Sequence, residues 1–161
     1  MVVDTSQVSE TAVTNRTKAA IVGAWSVRAI VTSTTPHPPA GAAILGLIVF
    51  TSDGIVTPIS SCTTFSVGYG GCGVWQTLPD NAPSVSFSFI EHASRNGEWL
   101  GSNYVYAPEV HFSDDGSTFS VPLVQILQRD IHGTVATEFA TTLHGTRITL
   151  QPPAQMVQQT L

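Results

Sequence analysis

The side chains best suited to moving a proton are gathered between positions 91 and 111: Glu91, Tyr104, Tyr106, and the pair Glu109 and His111. A carboxyl group withdrawn from water keeps its proton to higher pH and serves as a general acid. A phenol donates a hydrogen bond to the carbonyl of a bound molecule. A carboxylate two residues from an imidazole shares its strand face and is spaced as an acid–base pair. Each has a plainer alternative. The strand carrying Glu91 is expected to end close by, so a solvated place at the rim is the preferred reading there. Pro108 interrupts the segment bearing Glu109 and His111, which puts those two in water. For Tyr104 and Tyr106, packing on a wall with a wet tip stands level with a role inside.

Signatures of other chemistries are missing. The chain holds no Gly-x-Ser-x-Gly, no His-Glu-x-x-His and no carboxylates at metal spacing, so neither a metal nor a cofactor is expected. The glycine-rich stretch from Gly68 to Gly73 precedes no helix and so lacks the N-terminus that would hold a phosphate. It is expected as a flexible turn at a barrel mouth. Cys62 and Cys72 flank this stretch. Facing each other across a hairpin they could form a disulfide, but with no secretory signal at the start, reduced thiols are preferred.

The elements that must position these residues are strands. A chain of 161 residues with 42% hydrophobic content is one domain's worth, and charged residues are only 11% of it. Ser and Thr supply the polar balance, Lys18 is the sole lysine, and β-branched and aromatic residues dominate after Gly23. A net charge of −5 with no basic cluster excludes a nucleic-acid footprint. The apolar run from Ala40 to Phe50 is about half of what a bilayer-spanning helix needs and reads as a buried strand. A cytoplasmic protein with no nucleic-acid or membrane partner is expected; pairing of two copies is left open.

Eight apolar runs follow residue 20, separated by turn chemistry: Ala24 to Thr34, Ala43 to Thr51, Ile55 to Ser60, Val74 to Leu78, Val85 to Phe89, Trp99 to Phe112, Thr118 to Gln128 and Val135 to Leu150. Asp53-Gly54 and Asn96-Gly97 are strong hairpin signals. Short connections predict a meander of antiparallel neighbours. With no helix to cover a face, eight such strands close into an up-and-down barrel able to hold a small ligand. Residues 1–19 are expected as a flexible arm or lid, residues 20–151 as the barrel and residues 152–161 as a tail. A β-sandwich is the alternative.

Closure brings the first strand against the last. Gly23 and Trp25 open the first run and Arg147 closes the last, so the guanidinium is placed to lie over the indole as a cation–π lid. This combination resembles the lipocalin and calycin superfamily, in which Gly-x-Trp on the first strand packs under an arginine from the last. The chain lacks the signal, the disulfides and the C-terminal helix of secreted lipocalins, and is more similar to microbial lipocalin-like and allene-oxide-cyclase-like barrel cyclases. The resemblance implies a cofactor-free cyclase or isomerase, for example of Diels–Alder type, acting on a hydrophobic polyketide-like or terpenoid intermediate. Tyr104, Tyr106 and Glu91 would be its polar groups and Phe50, Trp75, Phe87, Phe89 and Phe139 its lining. A non-catalytic carrier or sensor of a hydrophobic small molecule is the alternative, and a barrel filled by its own side chains the third.

Overall fold

The computed structural model describes residues 20–33, 38–62, 67–78 and 84–149. It contains eight strands: β1 (Gly23–Val31), β2 (Ala43–Phe50), β3 (Ile55–Cys62), β4 (Val67–Thr77), β5 (Ser84–Arg95), β6 (Glu98–Phe112), β7 (Thr118–Arg129) and β8 (Val135–Arg147). Each pairs antiparallel with the next, and β8 pairs with β1, so the sheet closes on itself. Closure leaves no unpaired edge, which is how an all-β chain without covering helices satisfies its backbone. The Asn96-Gly97 hairpin forms as expected, with positive φ at both residues, 52° and 83°, as a type I′ turn requires. No helix among the described residues is long and apolar enough to cross a membrane. The expected arm and tail lie outside the described residues.

One end of the barrel is plugged. Trp25 on β1 is fully buried, and its ring meets Phe119 edge-on at 4.9 Å and Phe112 at 6.5 Å. Its indole N–H donates to the carbonyl of Ile21 at 2.8 Å. Trp25 and Arg147 are direct partners across the β1–β8 pairing, and the guanidinium carbon lies 4.4 Å from the indole centroid. Gly23 must be glycine, because its φ is 139° and a Cβ there would stand 2.8 Å from Arg147 Nη1. Phe50, Val56, Trp75, Val85 and Val110 fill the same end. Burying each large apolar side chain here contributes about 1.5–3 kcal/mol.

Two expectations are corrected. The stretch Gly68 to Gly73 is strand, not loop: it is the body of β4, with a register slip between Tyr69 and Gly71. Its glycines are steric necessities, since a Cβ on Gly71 or Gly73 would come within 2.1 and 1.9 Å of the carbonyls of Ile90 and Ser88. β2 is buried on one face only; Leu45 and Leu47 are exposed on the other. Cys62 pairs with Val67 on β4, whereas Cys72 lies five residues further along, about 16 Å at a strand's rise. The two backbones are too far apart for a disulfide, and Cys72 is an exposed free thiol.

Candidate functional site

Above the aromatic plug the barrel is hollow. A chamber of about 580 Å³ lies among inward side chains of β1, β2 and β5–β8, chiefly Val27, Ile48, Phe87, Phe89, Val105 and Ile126. Pro38, Arg95, Leu100 and Ala136 stand around its mouth, at the end opposite Trp25. The reading of a barrel filled by its own side chains therefore holds only for the plugged end.

Glu91 is inside. Contrary to the preferred placement at the rim, it is 6% exposed and lines the chamber. The reason is strand length: β5 does not stop after Phe89 but runs on to Arg95, carrying Glu91 on the same inward face as Val85, Phe87 and Phe89. Its Oε1 accepts hydrogen bonds from Ser61 Oγ at 3.0 Å and from Asn103 Nδ2 at 3.2 Å. Burial pushes the carboxyl's pKa above its ordinary value, and the bonds from Asn103 and Ser61 offset that only in part. The space for the group is supplied by Gly68, where a Cβ would stand 2.7 Å from Glu91 Oε2 and 2.2 Å from Ser61 Oγ.

The carboxyl belongs to a polar rung. Glu91 pairs with Asn103, Asn103 with Gln128, and Gln128 with Thr137, so one level of the wall across β5, β6, β7 and β8 carries four hydrogen-bonding side chains, all lining the chamber. Deeper on β8 sits Thr141, fully buried on the chamber wall, whose hydroxyl has no hydrogen-bond partner among the described residues.

The expected site residues divide. Phe87, Phe89 and Phe139 line the chamber alongside Glu91. Phe50 and Trp75 are buried, but in the plug below it, where Trp75 donates to the carbonyl of Thr51 at 2.9 Å. Tyr104 and Tyr106 are on the outer face, 39% and 46% exposed, and are not among the residues that line the chamber. Alternation decides this: Asn103 and Val105 take the inward positions of β6 and the tyrosines the outward ones. Alternation alone puts Asn103 and Val105 on one face of the strand and the tyrosines on the other; which face looks inward is settled only by the fold. Glu109 and His111 lie 3.9 Å apart in solvent, each about half exposed. Sequence reasoning singles out neither Ser61 nor Thr141, although Thr141 shares the inward parity of Phe139 and Leu143.

These features define a closed eight-stranded antiparallel barrel with an internal, mostly apolar chamber and, among the described residues, one buried carboxyl. No family model matches the chain, and no curated protein matches it. Among solved structures, the crystal structure of Rv2717c from M. tuberculosis is a distant likeness, at 8% sequence identity and a TM-score of 0.43, covering 84% of this chain and 98% of that one. Among the described residues no group of three or more His, Cys, Asp or Glu side chains is placed to hold a metal ion.

Proposed function

We propose that the barrel takes one hydrophobic small molecule into its chamber, held by the apolar walls and oriented by the polar rung at Glu91. The observation that carries this reading is a chamber of about 580 Å³ in which apolar side chains surround a single buried carboxyl among the described residues. Ligand pockets span roughly 300–1,000 Å³ and combine apolar walls with a few convergent polar groups. Protein interiors are otherwise close-packed, so a void this large is kept against the normal tendency to collapse. The Gly23, Trp25 and Arg147 closure supports the same reading, because lipocalin-like barrels sharing it bind guests in this way. A carrier or sensor needs nothing further.

The test is a titration with the neutral dye Nile red. Saturable binding of one dye per chain is expected, with the emission shifted to the blue, and it should be weakened by Ile126→Trp, which puts an indole into the chamber. Absence of binding would remove the reading.

Glu91 favours catalysis as a second reading. A buried carboxyl whose pKa is raised by burial is suited to act as a general acid, and a wall that holds a flexible chain in one reactive geometry supplies about 7–11 kcal/mol of the barrier. Together they fit a cofactor-free cyclase or isomerase of polyketide-like or terpenoid substrates. Tyr104 and Tyr106 have no part in that chemistry from the outer face. With such substrates, Glu91→Gln should leave binding intact and lower turnover about 100-fold or more; binding without turnover in the native protein would assign a carrier.

A further inference from the structure

Resting on the reading that a hydrophobic molecule enters the barrel, we propose that this guest carries an amine: its apolar body fills the deep end of the chamber, and its ammonium head stops at the polar rung against the carboxyl of Glu91.

The first support is what the rung offers and where it lies. Both hydrogen bonds to the carboxyl, from Ser61 and Asn103, land on Oε1, which leaves Oε2 as an acceptor. Because Asn103 turns its amide nitrogen to Glu91, its Oδ1 is left as an acceptor too, and Gln128 lines the chamber beside it on β7. A ring of acceptors calls for a guest that donates, and an ammonium donates three times. The rung stands near the mouth, whereas Val27, Ile48, Phe87 and Leu143 line the end toward Trp25. From Thr137 of the rung to Leu143 is six residues of β8, about 20 Å along the strand and about 15 Å of depth once barrel tilt is allowed for. That depth takes an alkyl tail, so the head is held at the rung.

The second support is the electrostatic setting. Around Glu91, strands β3, β4 and β6 present Ser61, Gly68 and Asn103, none of which carries a charge. Among the described residues the other charged side chain lining the chamber is Arg95, exposed at the mouth four residues further along β5. A carboxyl so placed has lost water and holds only neutral donors, and an ammonium beside it supplies the counter-ion. The pairing does not require Glu91 to be ionised beforehand. Where the empty chamber keeps it protonated, the proton passes to solvent as the ammonium arrives, and one proton is released for each ion pair formed.

The experiment is displacement of Nile red by decylamine and by decan-1-ol, which share a tail and differ in the head. Near neutral pH the amine is protonated, and it should bind about tenfold more tightly than the alcohol, the worth of a hydrogen bond to a charged group. Glu91→Gln should abolish that preference. Calorimetry of the native protein needs no variant. At pH 4.5, the ordinary value for this carboxyl, burial keeps Glu91 more than half protonated, so titration in two buffers of different ionisation enthalpy should show protons released with decylamine and none with the alcohol. An amine that binds no more tightly than the alcohol overturns the proposal. So does a preference that survives Glu91→Gln, or amine binding that releases no proton. If Nile red does not enter at all, the binding reading itself fails and takes this proposal with it, a result distinct from a chamber that binds the dye and shows no preference for the amine.

Discussion

Arg147 lies over the ring of Trp25, 4.4 Å from its centroid, while its guanidinium donates to the carbonyls of Ala20, Val22 and Gly116. One side chain thus ties together the chain leading into β1, the end of β8 and the β6–β7 turn. Arg147→Ala should cost about 3 kcal/mol or more, from the charge-assisted bonds and the cation–π contact together. Arg147→Lys should recover less than half, because an ammonium cannot reproduce the planar fork. Urea unfolding of the three proteins measures both.

Gly68 is the cradle of the buried carboxyl. Gly68→Ala should destabilise by about 1–3 kcal/mol through overpacking, and should weaken Nile red binding as Glu91 and Ser61 are displaced. Removing the Ser61 hydroxyl relieves the shorter of the two contacts, 2.2 Å against 2.7 Å. The Gly68→Ala, Ser61→Ala double variant should therefore be more stable than the sum of the single changes implies. Strict additivity in a double-mutant cycle would show that the cradle is not tight.

Glu91 sets a pH dependence of known sign. Its folded pKa is raised above the ordinary 4.5 by burial, so at higher pH the unfolded chain has released this proton while the folded protein still holds it. The contribution to stability is fully present below about 4.5 and is lost as pH rises through the folded value. The stability of the native protein minus that of Glu91→Gln should therefore fall as pH rises above about 4.5. Asp115 works at the other end. Held down to about 2 by the backbone N–H of Ser117 and the hydroxyls of Ser113 and Ser117, it loses its contribution only as pH falls below its ordinary 3.8, outside this window. A difference that is flat or rises with pH would contradict the burial of Glu91.

Thr141→Val should make the ligand-free protein more stable by about 1 kcal/mol, since it removes an unsatisfied hydroxyl and keeps the shape. For a domain of this size that is a rise in Tm of about 2–4 °C. Thr141→Ser keeps the hydroxyl and should show no such gain. Calorimetry of the two variants checks whether that hydroxyl is left without a partner in the folded protein.

How legible the site was can be argued from β5 and β6. The alternation of Val85, Phe87, Phe89 and Glu91 puts the carboxyl on the phenylalanine face, yet the apolar run stops at Phe89, which favours the rim for Glu91. Apolar runs mark where a strand is hydrophobic, not where its hydrogen bonding stops, and β5 continues for four residues past Glu91 on polar and small side chains. For β6 the alternation was legible and its sense was not. Asn103 and Tyr104 differ by one step, and only pairing with a neighbour of known orientation shows which step faces inward.

The amino-acid sequence by itself determined the eight strands, their meander, and the Trp25–Arg147 closure. Alternation, turn residues and short connections are local, and closure follows once no helix is available to cover a face. The tertiary structure alone decided that the barrel is plugged at one end and hollow at the other, that β4 and not a loop carries the glycines, and that Ser61, Glu91, Asn103 and Thr141 line one chamber. Those facts depend on the register between strands distant in sequence and on the volume left after side chains from the whole ring are packed, quantities that no single segment encodes.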